Sequence, residues 1–226
     1  MRRLFYFGMI CFVGVMSAGV IYSAPAYKDG DWQLWNDEAL KASINDKFGI
    51  FAEQEFRWGD GMRQYYYEHS HIQLDFKTLN WLTISPAIRE IYEINSKEAW
   101  YWESEPQINI TGSWKVFNDW SFDARARIEY RIFEEPGKND VWRNRDKFTL
   151  KSPWKLSPLK LNPYIADEIF FQEKKDGIYE NRLWLGMGMQ FCKNIKGDLY
   201  CMLKLEDKNG DWWSTNVLGV QLKFEF

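Results

Sequence analysis

Ionisable side chains recur at every second position in several stretches, and they are the residues with the most capacity for chemistry. In 120–132, arginine, glutamate and aspartate alternate with aromatic and aliphatic residues. Side chains at alternate positions of a β-strand share one face. The charged candidates for a lumen-facing surface are Glu53, Glu55, Arg57, Glu103, Glu105, Arg125, Arg127, Glu129, Arg131, Arg143, Arg145, Lys147, Glu168 and Arg182. A basic strip within this set predicts selection of an anionic solute, unless carboxylates on other strands neutralise it.

Turn positions predict which of these charges face each other. A hairpin centred near 114–115 places Glu103 opposite Arg127, whereas the next hairpin, centred in 135–138, places Arg127 opposite Lys147. Like charges directly opposite each other destabilise a sheet. We therefore expect this wall to need acidic neighbours, water or a ligand.

The two histidines, His69 and His71, flank Ser70. A metal site needs three or four converging ligands, and no further ligands accompany this pair. Nucleophilic catalysis needs the serine and its base within hydrogen-bond reach, whereas strand alternation puts Ser70 on the opposite face from both histidines. We expect no metal, no cofactor, no catalytic residue and no enzymatic activity.

Strands are the elements that must position these charges. From Asp31 to Phe226 the chain consists of long segments with period-two alternation, and helical periodicity is not visible. Short clusters of turn-forming residues separate the segments. These clusters are Asp60-Gly61, Glu135-Pro136-Gly137-Lys138-Asn139, Asp176-Gly177, Lys196-Gly197 and Asn209-Gly210.

The pattern predicts an all-β protein, an antiparallel up-and-down transmembrane β-barrel. Reading the turns gives about 11 segments, but bacterial single-chain barrels have even strand numbers. We therefore expect about 12 strands, with ten as the second choice.

Alternation alone leaves open which face is outside, because a soluble ligand-binding barrel of the lipocalin kind has its apolar face inside. The segments are longer than the mean soluble strand and suit a tilted membrane crossing. Tryptophans near strand ends match an interfacial girdle. They are Trp58, Trp81, Trp100, Trp102, Trp120, Trp142, Trp212 and Trp213. The apolar face is therefore predicted to contact lipid.

The beginning of the chain resembles a secretory signal peptide. Arg2 and Arg3 precede an apolar run over 4–21, and small residues favour a cut after Ala26. An uncleaved membrane anchor is the alternative. The predicted division is a signal peptide over 1–26 and a single barrel domain over 27–226. The formal net charge of −3 and pI near 5.6 give no support for nucleic-acid binding.

Several short motifs resemble those of the outer-membrane β-barrel family catalogued as domain of unknown function 2490. They are Asp31-Trp32-Gln33-Leu34-Trp35, Glu53-Gln54-Glu55-Phe56-Arg57, Arg125-Ala126-Arg127, Asp167-Glu168-Ile169-Phe170, Asn181-Arg182-Leu183 and Asn216-Val217-Leu218-Gly219. The resemblance implies a barrel in the outer membrane of a Gram-negative bacterium, in contact with outer-membrane lipid. It also implies that the barrel-insertion machinery recognises the terminal strand through Leu222, Phe224 and Phe226. It implies no activity.

Three function classes stay open. The first is a channel or binding barrel for a small solute, and the second is a structural barrel with a plugged lumen. The third is a lipid-modifying outer-membrane enzyme. The strand number does not separate the first two, because a barrel of about 12 strands lies between side-chain-filled and aqueous barrels.

Overall fold

The computed structural model describes residues 28–94 and 99–226. The predicted signal peptide and its cleavage site lie outside these residues. Within them the chain forms eleven strands and one short 3₁₀ helix, Phe117–Asp119. The strands are β1 (Asp31–Ser43), β2 (Phe48–Gly59), β3 (Gln64–Leu79), β4 (Leu82–Ile94), β5 (Trp100–Lys115), β6 (Ser121–Phe133), β7 (Val141–Lys151), β8 (Asn162–Gln172), β9 (Ile178–Gln190), β10 (Ile195–Lys208) and β11 (Asp211–Glu225).

The strands close into one barrel in chain order, and β1 completes the closure by pairing with β11. Consecutive strands are antiparallel, whereas β1 and β11 are parallel. The all-β barrel prediction is confirmed. The expected 12 strands, and the second choice of ten, are wrong. An odd number of alternating strands leaves the first and last pointing the same way, so a parallel seam permits closure with eleven.

The seam between β1 and β11 is held along its whole length. Its register runs from Asp31 opposite Thr215 to Lys41 opposite Glu225. Just before β1, the Asp29 carboxylate accepts hydrogen bonds from the backbone N–H and the hydroxyl of Ser214, at 2.7 and 2.8 Å. These bonds, the backbone one first, lower the pKa of Asp29. The barrel therefore closes through main-chain hydrogen bonds reinforced by a side chain.

The predicted turns at Asp60-Gly61 and Asn209-Gly210 are confirmed. Asn209 and Gly210 have φ values of 61° and 99°, and positive φ at both central residues is typical of a two-residue type I′ hairpin. Lys196-Gly197, in contrast, lies inside β10. Gly197 serves a close approach instead, because a Cβ there would lie 2.7 Å from the ring of Phe191.

The outer surface of the barrel is apolar over most of its area. Aliphatic side chains such as Ile72, Ile108, Ile128, Leu185 and Leu199 are exposed. Aromatic rings form a belt at each end. At one end the rings in contact are Trp81, Trp114, Phe122 and Phe148. At the other they are Tyr65, Tyr92, Trp100, Trp102, Tyr130 and Trp142.

Two sets of polar side chains interrupt the apolar surface. One consists of Asn144, Asp146, Asp167 and Asn181 on β7 to β9, in which Asn144 donates to Asp146 and Asn181 donates to Asp167. The other is a single row. Glu38, Gln54, Ser70, Glu90 and Ser104 lie directly opposite one another across β1 to β5. The Ser104 hydroxyl donates to Glu90 at 2.8 Å, and the indole N–H of Trp102 donates to the same carboxylate at 2.7 Å. The row therefore lies beside the second aromatic belt and marks an edge of the apolar band.

The interior contains little hydrophobic packing. The largest buried apolar cluster consists of Trp35, Ala166, Trp184, Met202 and Val217, on β1 and β8 to β11. In the described residues no helix has the length and apolar character needed to span a membrane. A second, smaller cluster consists of Tyr66, Tyr67 and Ile91, and charged and other polar side chains make up much of the rest of the buried interior.

Candidate binding cavity in the barrel lumen

The charged residues singled out from the sequence all lie on the inward faces of their strands. Eight are at least nine-tenths buried, and the other six are partly exposed to the lumen. The buried residues are Glu55, Glu103, Glu105, Arg127, Glu129, Arg143, Arg145 and Glu168. The partly exposed ones are Glu53, Arg57, Arg125, Arg131, Lys147 and Arg182. These residues occupy alternate positions of their strands, and alternate side chains of a strand point to the same face of the sheet, here the inside of the barrel.

Glutamates and arginines from β4 to β8 form one connected network. The Glu129 carboxylate, fully buried, is within salt-bridge distance of four guanidinium groups. They belong to Arg89, Arg127, Arg143 and Arg145. We call this set, with Glu103, Glu105, Arg125, Arg131 and Glu168, the arginine–glutamate network.

Two other carboxylates extend the network to either side of Glu129. Glu105 contacts Arg89 and Arg131 at 3.2 Å each, and it also contacts Arg143. Glu168 accepts from Arg125 at 2.7 Å and from Arg145 at 3.1 Å. Buried charges are stable only when paired and hydrogen-bonded. The network therefore holds five strands together across the lumen.

The predicted charge pairs in the hairpins are wrong by a shift of register. Glu103 lies opposite Phe133, and Arg127 lies opposite Asn109 on one side and Arg145 on the other. For the first hairpin the cause is the connection between β5 and β6, where the 3₁₀ helix moves the centre of the hairpin beyond 114–115. The second hairpin is centred within 135–138 as predicted, but its partners are shifted by two residues. Instead of the predicted pair of Arg127 and Lys147, the like-charged pair is Arg127 and Arg145, and Glu129 contacts both.

A polar cavity of about 310 Å³ remains beside the network. Nine basic and five acidic residues line it, together with Trp35, Trp184, Tyr164 and Tyr200. It extends towards the mouth at which β7 ends, because Lys151 and Lys223 are among its lining residues. Towards the other mouth, Glu103, Glu105, Arg131 and Arg143 occupy the lumen. The lumen is thus filled towards one mouth of the barrel and hollow towards the other.

Two glycines keep the cavity open. Tyr164 lies opposite Gly186, and Tyr200 lies opposite Gly219. A Cβ at Gly186 would lie 2.1 Å from the Tyr164 ring, and one at Gly219 would lie 1.9 Å from the Tyr200 ring. Each ring therefore lies flat over its glycine, against the wall. Any larger residue at these positions would push a tyrosine into the cavity.

Acidic groups concentrate on the wall formed by β1 and β2. Asp37 and Glu55 hydrogen-bond through their carboxyl groups, and Glu53 lies nearby. His69 Nε2 lies 3.2 Å from a carboxylate oxygen of Glu53. His69 Nδ1 and the Tyr67 hydroxyl form a hydrogen bond of 3.0 Å. Arg57 pairs with Glu55 and stacks on Trp35, with its guanidinium carbon 3.6 Å from the ring centroid. This wall carries more negative than positive charge.

Basic groups concentrate on the opposite wall. The charges that act on Lys147 are those of Glu168, which attracts it, and of Arg125, Arg145 and Arg182, which repel it. In the described part of the chain the Lys147 ammonium forms no salt bridge, and it lies 3.9 Å from the centroid of the Trp184 ring. This wall carries more positive than negative charge.

Sequence reasoning did not select several residues of this site. Asp37, Arg89, Tyr164, Asp198 and Tyr200 all belong to the cavity or the network. Asp37 and Arg89 were detectable as inward positions by alternation, but apolar neighbours on the same face of their strands obscured the pattern. His69 and His71 are buried inside, whereas Ser70 is exposed on the outer face. The three residues therefore do not form a catalytic group with one another.

No cluster of metal-ligating side chains occurs within residues 28–94 and 99–226. Comparison with curated proteins gives no match. Residues 32–215, which include every strand from β2 to β10, match a family described as protein of unknown function (DUF2490). Since this match covers most of the sequence, the chain belongs to that family.

Proposed function

We propose that this protein is an outer-membrane β-barrel that binds a small solute in its lumen. The observation that carries the proposal is the distribution of polarity across the barrel wall. Charged residues face the axis, and apolar residues face outward between two aromatic belts. A soluble barrel has the opposite arrangement, whereas a lipid-exposed barrel requires this one.

The dimensions agree with a membrane crossing. On β5 the outward residues between Ser104 and Trp114 are Pro106, Ile108, Ile110 and Gly112. Ten residues at ~3.3 Å each, tilted by ~40°, span about 25 Å along the barrel axis. This matches the apolar band of about 25 Å in outer-membrane barrels.

Membrane assembly is the first expected result. Full-length protein produced in a Gram-negative host should lose residues 1–26 and fractionate with the outer membrane. The purified barrel should migrate faster on gels without heating, because a closed barrel resists unfolding by detergent. Mature protein that stays free in the periplasm and shows no heat-dependent migration would contradict the proposal.

The arginine–glutamate network favours a binding barrel over an open channel. Its members Glu103, Glu105 and Arg143 are buried in the lumen towards the mouth opposite the cavity, and we infer that they interrupt the aqueous path of ions. In planar bilayers the protein should therefore show little or no steady conductance. The double variant Glu105→Ala and Arg143→Ala removes a contacting pair from the filled end and should raise conductance. Steady, large conductance of the unaltered protein would identify it as a channel instead.

The remaining part of the proposal concerns assembly partners. The outward faces of Leu222 and Phe224 continue the apolar surface on β11, and Phe226 follows them. The Phe226 N–H donates to the carbonyl of Lys41 at 2.9 Å, and its carbonyl accepts from Ser43 N–H at 2.9 Å. These residues are the part of the barrel that we propose the insertion machinery recognises.

A further inference from the structure

The cavity has walls of opposite charge, and their placement points to a class of ligand. The acidic wall lies on β1 and β2, and the basic wall lies on β6 and β7. In a closed ring of eleven strands, these pairs are separated by about half the circumference in either direction. The two walls therefore face each other across the lumen.

Ion pairs inside each wall do not cancel this polarity. On the acidic wall, the hydrogen bond between the Asp37 and Glu55 carboxyl groups requires one shared proton, so Asp37, Glu53 and Glu55 together carry two negative charges. Arg57 pairs with Glu55, and Arg89, whose salt bridges are to Glu105 and Glu129, also acts on Glu53. On the basic wall, Glu168 is the carboxylate that faces Arg125, Arg145 and Lys147. Asp37 is 5% exposed and forms no salt bridge in the described part of the chain. A further cation is thus stabilised on one wall and a further anion on the other.

Two hydrogen-bond donors on the basic wall also favour a negatively charged ligand group there. The Nε of Arg125 is buried without a hydrogen-bond partner among the described atoms. Beside it, the Lys147 ammonium contacts the face of Trp184, and no carboxylate of the described residues lies within salt-bridge distance of it. A buried donor without a partner costs free energy, so a ligand oxygen that accepts from these groups would be favoured.

Between the charged walls, on β8 to β11, the surface combines aromatic side chains with Arg182, Asp198 and Lys223. Tyr164, Trp184, Tyr200 and Trp35 lie on β8, β9, β10 and β1 and line the same cavity. The flat tyrosines over Gly186 and Gly219 leave room for an uncharged middle portion of a ligand. The ligand therefore needs a positive end, a negative end and a middle portion that fits beside the tyrosine rings.

We propose that the lumen binds a small zwitterion, with its ammonium group at Asp37 and Glu53 and its carboxylate at Lys147 and Arg125. Eleven strands ~4.8 Å apart and tilted by ~40° give a backbone diameter of about 22 Å. Long side chains from both walls reduce the gap to roughly 10 Å, which suits a short peptide more than a single amino acid. The cavity volume is at the lower end of the usual range for small-molecule sites. This inference rests on the proposed binding function.

The test compares three probes that differ in their charged ends. Trialanine carries both charges, N-acetyl-trialanine carries only the negative one, and trialanine amide carries only the positive one. Calorimetry with the refolded full barrel should show trialanine binding at least ten-fold more tightly than either blocked form. Lys147→Met should make trialanine and its amide bind equally. Asp37→Asn should make trialanine and its acetylated form bind equally.

Matched controls come from the turn between β8 and β9, at the opposite mouth. Lys175→Met and Asp176→Asn change the same residue types at exposed positions and should leave the preference intact. Equal binding of N-acetyl-trialanine and trialanine by the unaltered barrel would overturn the zwitterion assignment in favour of a plain anion. If none of the three probes binds, the zwitterion assignment is also overturned. Heat-modifiable migration of each sample verifies the folded barrel, so failure of the outer-membrane proposal is detected separately.

Discussion

Replacement of Glu129 by alanine is expected to destabilise the barrel by at least about 3 to 5 kcal/mol, because removal of one partner leaves buried charges uncompensated. Four guanidinium groups surround this fully buried carboxylate. Without it, Arg127 and Arg145, which lie directly opposite each other, repel at close range. Urea unfolding of the barrel in lipid vesicles measures the change.

Two further variants distinguish the loss of the buried charge from the loss of any glutamate side chain. Glu129→Gln keeps the shape and two hydrogen-bonding atoms but loses the charge, so its cost should be smaller than that of alanine. Glu135→Ala, in the exposed turn between β6 and β7, should change the unfolding free energy by less than about 1 kcal/mol because surface ion pairs contribute little. If Glu129→Ala is tolerated as well as Glu135→Ala, water solvates the network and the lumen is open.

Replacement of Ile108 by arginine is expected to have the second large effect on the stability of the barrel. Ile108 is 50% exposed in the middle of the outer face of β5, between Pro86 and Ile128. A lipid-facing arginine near the bilayer midplane costs ~2 to 4 kcal/mol. Ile108→Arg should therefore reduce the unfolding free energy in vesicles by about this amount.

Ala126→Arg provides a matched comparison on the neighbouring strand. Ala126 also faces outward, but it lies opposite Asp146. An arginine there has an acidic partner on the same surface, so its cost should be smaller than that at Ile108. If Ile108→Arg has no effect and the barrel remains monodisperse in water without detergent, the outer face is solvated. The protein would then be a soluble barrel with a charged lumen.

Much of the fold follows from period-two alternation, as β6 illustrates. Its odd-numbered residues Arg125, Arg127 and Glu129 face the lumen, and Ala126 and Ile128 face outward. Such an assignment is reliable because a shift by one residue would bury every apolar side chain among charges. The strand count failed for a different reason. The turns indicated eleven segments, but the parity rule assumes an antiparallel seam, and the pairing of the first strand with the last is a non-local property.

The cavity was less accessible to sequence reasoning than the wall that surrounds it. Alternation identifies Glu129 and Arg143 as inward, but it does not give their contact, because that depends on a register set by turn length. The 3₁₀ helix after Lys115 shifts the hairpin, and no glycine marks it. Likewise, nothing in the sequence indicates that Gly186 and Gly219 accept the rings of Tyr164 and Tyr200.

The parallel seam also determines in which compartments the strand termini lie. Because β1 and β11 run in the same direction, the Asp31 end of the barrel is at one mouth and the Glu225 end is at the other. In a bilayer these mouths open into different aqueous compartments. Chain before Asp31 would then be accessible from one side of the membrane and chain after Glu225 from the other. If the barrel spans a membrane, one of these two strand ends must cross it before the seam can close.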